Sequence, residues 1–185
     1  MNEEEKYILE SIKGWVWSGF YSESDIREML YDILEEGCDE DMLLASIAPE
    51  CAQKLLAEKE WPQITDFDRL HSVFYKLHEE GICALHNAGY TMSDGFEEVG
   101  EVVHDAPNGH YHSFCFYHGQ DVESAVNGRG LMIAFGALEN NEAKSMQIGK
   151  RVAESLGEAG FKVERDGTIT TRICLPAIDW KKRAA

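Results

Sequence analysis

Apolar positions recur at helical spacing through the first third of the chain. Ile8, Ile12, Trp15 and Val16 form one stripe, which predicts a helix over about Glu3–Ser18 closed by Gly19. Ile26, Met29, Leu30 and Ile33 form a second. Its helix is expected to start at Ser24 as N-cap, with Arg27 where a capping box would place an acidic residue, and to end at Gly37. A third segment runs from Asp39 through Leu43, Leu44, Ile47, Cys51 and Leu55, with Pro49 inside it. Proline lacks an amide proton and crowds the preceding turn, so the expectation is a kink or two short helices. Phe67, Leu70, Phe74 and Leu77 mark a fourth helix, capped by Thr65 or Asp66 and stopped by Gly81.

After Gly81 the period changes. Ile82–His86, Ser113–His118 and Leu131–Phe135 read as strands, the last continuous in apolar residues and therefore central. Helices are expected from Ser93 as N-cap to His104, from Asp121 to Val126, and from about Asn141 to Leu156. Phe161 and Val163, set against Ile169, Thr171, Ile173 and Leu175, predict a closing hairpin. A three-residue loop of Arg165, Asp166 and Gly167 puts Val163 opposite Ile169 and keeps the apolar residues on one face. Lys181-Lys182-Arg183 reads as a solvated end. The element order predicts an α+β protein. Its N-terminal helical part, residues 1–66, is followed over residues 67–185 by a ferredoxin-like α/β sandwich with an added edge strand. In that arrangement the short middle helix decorates a hairpin-like connection. A three-layer parallel sheet is the alternative.

Composition narrows the class. The 185 residues are 44% hydrophobic and carry a formal charge of −17, enough apolar surface for a core and too little positive charge for nucleic acid or an anionic membrane. Residues 1–66 hold 17 acidic and 5 basic residues, net −12, so the acidity is concentrated in the helical part. No apolar run approaches the ~18 residues of a membrane span, and Met1-Asn2-Glu3-Glu4-Glu5 lacks the basic start of a secretory signal. The five cysteines are odd in number and widely spaced, which suits reduced thiols in a cytoplasm.

Candidate chemistry gathers where the first two strands end. A helix-linked parallel crossover brings those ends to one edge of the sheet. There the first strand offers His86, Asn87 and Tyr90, followed by Ser93 and Asp94, and the second offers His118, Gln120 and Asp121. His118 is the expected base or ligand, oriented by Asp121 or Asp94, with Tyr90 as donor and two helix N-termini to attract a small anion. The competing reading gives Ser93 and Asp121 to helix starts, the glycines to turns and the histidines to loop carbonyls.

His104, His110, His112 and His118 match no recognised ligand frame, so no metal and no cofactor are expected. His71 and His78 stand seven apart and flank a core seam, and Cys83 and Cys115 are expected as buried small hydrophobes. Phosphate-loop, dinucleotide and calcium-loop patterns are absent from the sequence.

The stretches Gly81–Gly95, Phe116–Asp121 and Leu131–Gly136 together resemble a family of uncharacterised bacterial proteins, a domain of unknown function. The resemblance implies a bacterial cytoplasmic origin and carries no reaction or catalytic residues with it. The expectation is an interaction or regulatory module that meets a protein partner or a second copy of itself. The alternative is a small-ligand-binding protein or enzyme using the polar strand-end site.

Overall fold

The computed structural model describes residues 1–184. The chain divides into two compact units. One comprises residues 1–65 together with the segment from Trp180 onward, the other Asp66–Asp179. The protein is α+β, with helices first and a mixed four-stranded sheet after them.

The first unit holds α1 (Glu3–Ser18), α2 (Glu23–Ile33) and α3 (Glu40–Glu58). Each begins at a side chain that satisfies an otherwise unpaired amide. The Asn2 and Ser22 side chains accept from the amides of Glu5 and Asp25, whose carboxylates accept from the cap amides in return. Asp39 accepts from Met42. The start of α2 therefore lies two residues before the expected Ser24, because Ser22 has the carboxylate of Asp25 three residues on and Ser24 has only Arg27. The core is Ile8, Ile12 and Val16 of α1, Ile26 and Leu30 of α2, and Leu43 and Ile47 of α3. Each such side chain contributes about 1.5–3 kcal/mol on burial. Helix α3 is one helix rather than two short ones and runs through Pro49. Packing of Leu43 and Ile47 into the core, before the proline, holds it together.

The second unit holds α4 (Asp66–Glu79), β1 (Ile82–Leu85), α5 (Met92–Asp105), β2 (Ser113–Phe116), α6 (Gly119–Val126), β3 (Leu131–Ala137), α7 (Glu142–Glu158) and β4 (Ile173–Leu175). The sheet order is β1-β2-β3-β4, with β1 parallel to β2 and the other neighbours antiparallel. Helix α6 thus sits inside an antiparallel connection between β2 and β3. Alternation along β2 sends Phe114 and Phe116 toward α5, where both meet Phe96, and sends Tyr117 to the other face against Phe74 of α4.

The ferredoxin-like detail does not carry over, because strand order is sequential and β1 lies at an edge. The expected hairpin also differs. Residues 161–163 form no strand, and the segment pairs with β4 through an isolated bridge of Glu164 with Cys174, not Val163 with Ile169. Asp166 explains the wider loop, since its carboxylate accepts from the Thr168 amide and hydroxyl and folds the turn locally. The expected solvated end is instead docked, with Trp180 buried.

Candidate functional site

The parallel register Ile82↔Ser113 to Leu85↔Phe116 ends β1 and β2 at the same edge. The loops beyond continue side by side. Ala88 N donates to Tyr117 O at 2.9 Å, Gly119 N to Gly89 O at 2.9 Å and Gln120 N to Tyr90 O at 3.3 Å. Two left-handed residues make that course possible, Gly89 at φ +59° and Asn87 at φ +50°, the latter a conformation that asparagine tolerates better than most side chains. A Cβ on Gly89 would run into Asp94.

The carboxylates around this loop bind its amides. Asp94 accepts from Thr91 at 2.8 Å and Tyr90 at 3.2 Å, and Glu98 accepts from Gly89 at 2.8 Å. The Thr91 amide bond is the first reason the Asp94 carboxyl is held below its ordinary range. Thr91, not Ser93, is therefore the cap of α5, and Ser93 is exposed in its first turn. The Tyr90 hydroxyl donates to Glu123 Oε1 at 3.1 Å.

The two imidazoles of the edge have different partners. His86 Nδ1 lies 2.7 Å from the Tyr117 hydroxyl and its Nε2 lies 3.1 Å from His71 Nδ1. Phe74 stacks on the His86 ring at 4.6 Å between centroids, and Phe67 approaches it at 5.4 Å. Tyr117 is fully buried, which pushes its phenol well above the ordinary value, so it stays a hydroxyl at neutral pH. Exposed His71, half-buried His86 and buried Tyr117 form a hydrogen-bonded file from surface to core. A proton taken up on one nitrogen of His86 can leave from the other.

His118 joins a second group. Its Nε2 lies 3.2 Å from Asp121 Oδ2, its backbone amide donates to the same oxygen at 3.1 Å, and Arg172 Nη1 donates to both Asp121 oxygens at 2.9 Å. Burial, the largest influence, lowers the His118 pKa, with the Asp121 charge opposing it. His118 Nδ1 is buried without a hydrogen-bond partner. Gln120 is exposed, and its amide is the one bound to Tyr90. At one of the two helix N-termini expected to attract an anion, the α6 amides of Gly119 and Gln120 donate to loop carbonyls.

Sequence reasoning missed His71, Tyr117 and Arg172. A signal for His71 exists, since Phe67, His71 and Phe74 stand at i, i+4 and i+7 on one helix face. Arg172 lay hidden in the expected hairpin.

His78 and His112 anchor the loop before β2. His112 Nε2 donates to Glu80 O at 3.0 Å, and the Tyr111 hydroxyl is bonded to His78 Nε2. His104 is exposed in the last turn of α5. Among the described residues no three His, Cys, Asp or Glu side chains are grouped to hold a metal ion. Cys83 and Cys115 are buried, and burial raises the Cys83 thiol to about 11. Among the described residues no helix is long and apolar enough to cross a membrane.

A family described as a domain of unknown function (DUF6891) matches residues 1–184. No curated protein and no solved structure matches the chain.

Proposed function

The chain belongs to that domain-of-unknown-function family, which brings no reaction with it, and we propose from its own surface that it is an interaction or regulatory module. Its acidic helical unit recognises a basic segment of a protein partner in a reducing cytoplasm.

One observation carries this reading. A shallow groove of the first unit has Ile8, Ile33 and Tyr7 along it and Glu3, Glu4 and Glu35 beside them. Tyr7 is 59% exposed, an aromatic left available for contact rather than used in the core. Apolar side chains edged by like charges suit an amphipathic segment whose basic residues flank an apolar anchor.

The test is fluorescence anisotropy with a labelled Leu/Lys amphipathic peptide and the full chain. Binding should weaken as salt rises from about 50 to about 300 mM, since the Debye length falls through the spacing of the charges. Glu4→Lys with Glu35→Lys should weaken it about tenfold. Equal binding of a Leu/Glu peptide, or no effect of the two reversals, contradicts the reading. Concentration-dependent light scattering distinguishes a second copy as the partner.

A second reading has support from Asn87 and the His71–His86–Tyr117 file. Non-glycine residues in left-handed backbone are concentrated at functional sites. A small ligand at this edge meets imidazoles rather than helix amides, so a small anion would be held by His71 and His86. Titrating phosphate while following the histidine ring protons tests it, with shifts confined to His71 and His86 expected and unmoved resonances contradicting it.

A further inference from the structure

The segment from Trp180 to Ala184 is aromatic and basic, and it lies on the acidic helical unit to which it belongs. Trp180 is 8% exposed, and its Nε1 donates to Ser18 O at 3.1 Å. Lys182 Nζ donates to Gly19 O at 2.8 Å and stands 4.8 Å above the Phe20 ring. Arg183 Nη2 donates to Pro62 O at 2.7 Å, and Ala184 N to Glu58 Oε1 at 2.8 Å. The carbonyls of Ser18 and Gly19 lie where α1 ends, the negative pole of its dipole, which favours cationic side chains. Gly19 has φ +78°, and a Cβ there would lie 2.5 Å from Lys182 O, so the backbone is open to a close approach only because the residue is glycine.

Two features say that this seat accepts a class of segment and not one sequence. The Ser18, Gly19 and Pro62 acceptors are main-chain carbonyls, which recognise an indole N–H, an ammonium and a guanidinium by chemistry alone. The present occupant also leaves the seat incompletely satisfied. The Lys54 side chain is 3% exposed, its Nζ lies 3.3 Å from Glu58 Oε1, and it makes no hydrogen bond in good geometry. A segment that also brings a carbonyl to Lys54 would satisfy it more fully than the resident one does.

We infer that the seat formed by Ser18–Phe20, Glu58 and Pro62 recognises a partner segment in which an aromatic residue precedes basic residues. In the resting chain, Trp180–Ala184 occupies it in cis. The seat is separate from the groove at Tyr7, so either proposal can fail alone.

The experiment uses the full chain and a labelled peptide of residues 176–185 as probe. In wild type the tethered segment competes at millimolar effective concentration. A Lys182→Glu/Arg183→Glu chain should therefore bind the peptide at least about tenfold more tightly than wild type. Equal affinity for both chains overturns the inference, as does absence of binding to the variant. Equal binding of a peptide with alanine in place of Trp180, Lys182 and Arg183 overturns it too. So does a wild-type dimer that disappears in the variant, since the occupant is then a second copy. If melting by circular dichroism shows that charge reversal loosens the helices, Lys182→Ala/Arg183→Ala replaces it with the same outcomes.

Discussion

His86 Nδ1 stands 2.7 Å from the hydroxyl of Tyr117, joining the end of β1 to the end of β2 beneath the Phe74 ring. Tyr117→Phe keeps the ring and removes this bond. The expected loss is about 0.5–1.5 kcal/mol, the net worth of one hydrogen bond, because the His86 ring that loses it is only half-buried. Chemical denaturation gives the magnitude. A shifted His86 ring resonance with His118 unmoved marks the change as local, and unchanged stability would show that the bond contributes nothing.

Arg172 and Asp121 form an ion pair of the second unit, with side chains 30% and 5% exposed. Arg172→Ala leaves the buried Asp121 carboxylate without its guanidinium partner and should cost about 2–4 kcal/mol. Adding Asp121→Asn should recover part of that loss, since the uncompensated charge is gone. A double-mutant cycle by urea unfolding measures the coupling, and additive losses would contradict the pairing.

Acid should weaken the protein in two stages. Burial lowers the pKa values of His118 and His78 in the folded chain, so the unfolded chain binds more protons just below the ordinary histidine value. Their contribution is complete above about pH 6.5 and is lost as pH falls toward the lowered folded values. Glu5 follows at lower pH. Amides of Asp39 and Asn2 hold its carboxyl below the ordinary 4.5, so its contribution is present above that value and lost as pH falls through the lowered one. Melting temperatures from pH 8 to pH 3 test this, and His118→Asn should flatten the first stage. A melting temperature that rises between pH 7 and pH 5 would contradict it.

Gly19→Ala places a side chain in left-handed backbone and against Lys182 O. The backbone penalty alone is about 1–2 kcal/mol. Displacement of the Trp180 indole should accompany it, visible as a red shift of tryptophan emission. Unchanged emission would mean that the segment does not need the close approach.

Helix positions were legible because each stripe repeats several times, whereas starts and long-range contacts rest on one or two residues. Ser24 and Ser93 look like caps in isolation, yet Ser22 and Thr91 win because each has an aspartate three residues on. The α+β class and the common edge of β1 and β2 follow from the change of period and the α5 crossover. The split between His86 and His118 does not, because it depends on Tyr117 and Asp121, adjacent partners that turn the two rings into separate groups. Arg172 is separated from Asp121 by 51 residues, and nothing local announces such a bond. The docking of Trp180 on Ser18 lies beyond pattern for the same reason.

The central claim is that the acidic helical unit recognises a basic partner segment. Backbone amide mapping of the full chain during titration with the Leu/Lys peptide tests it most directly. Shifts are expected at Tyr7, Ile8, Ile33 and Glu35, and they shrink with salt. Shifts confined to residues 66–179, or none at saturating peptide, would contradict it.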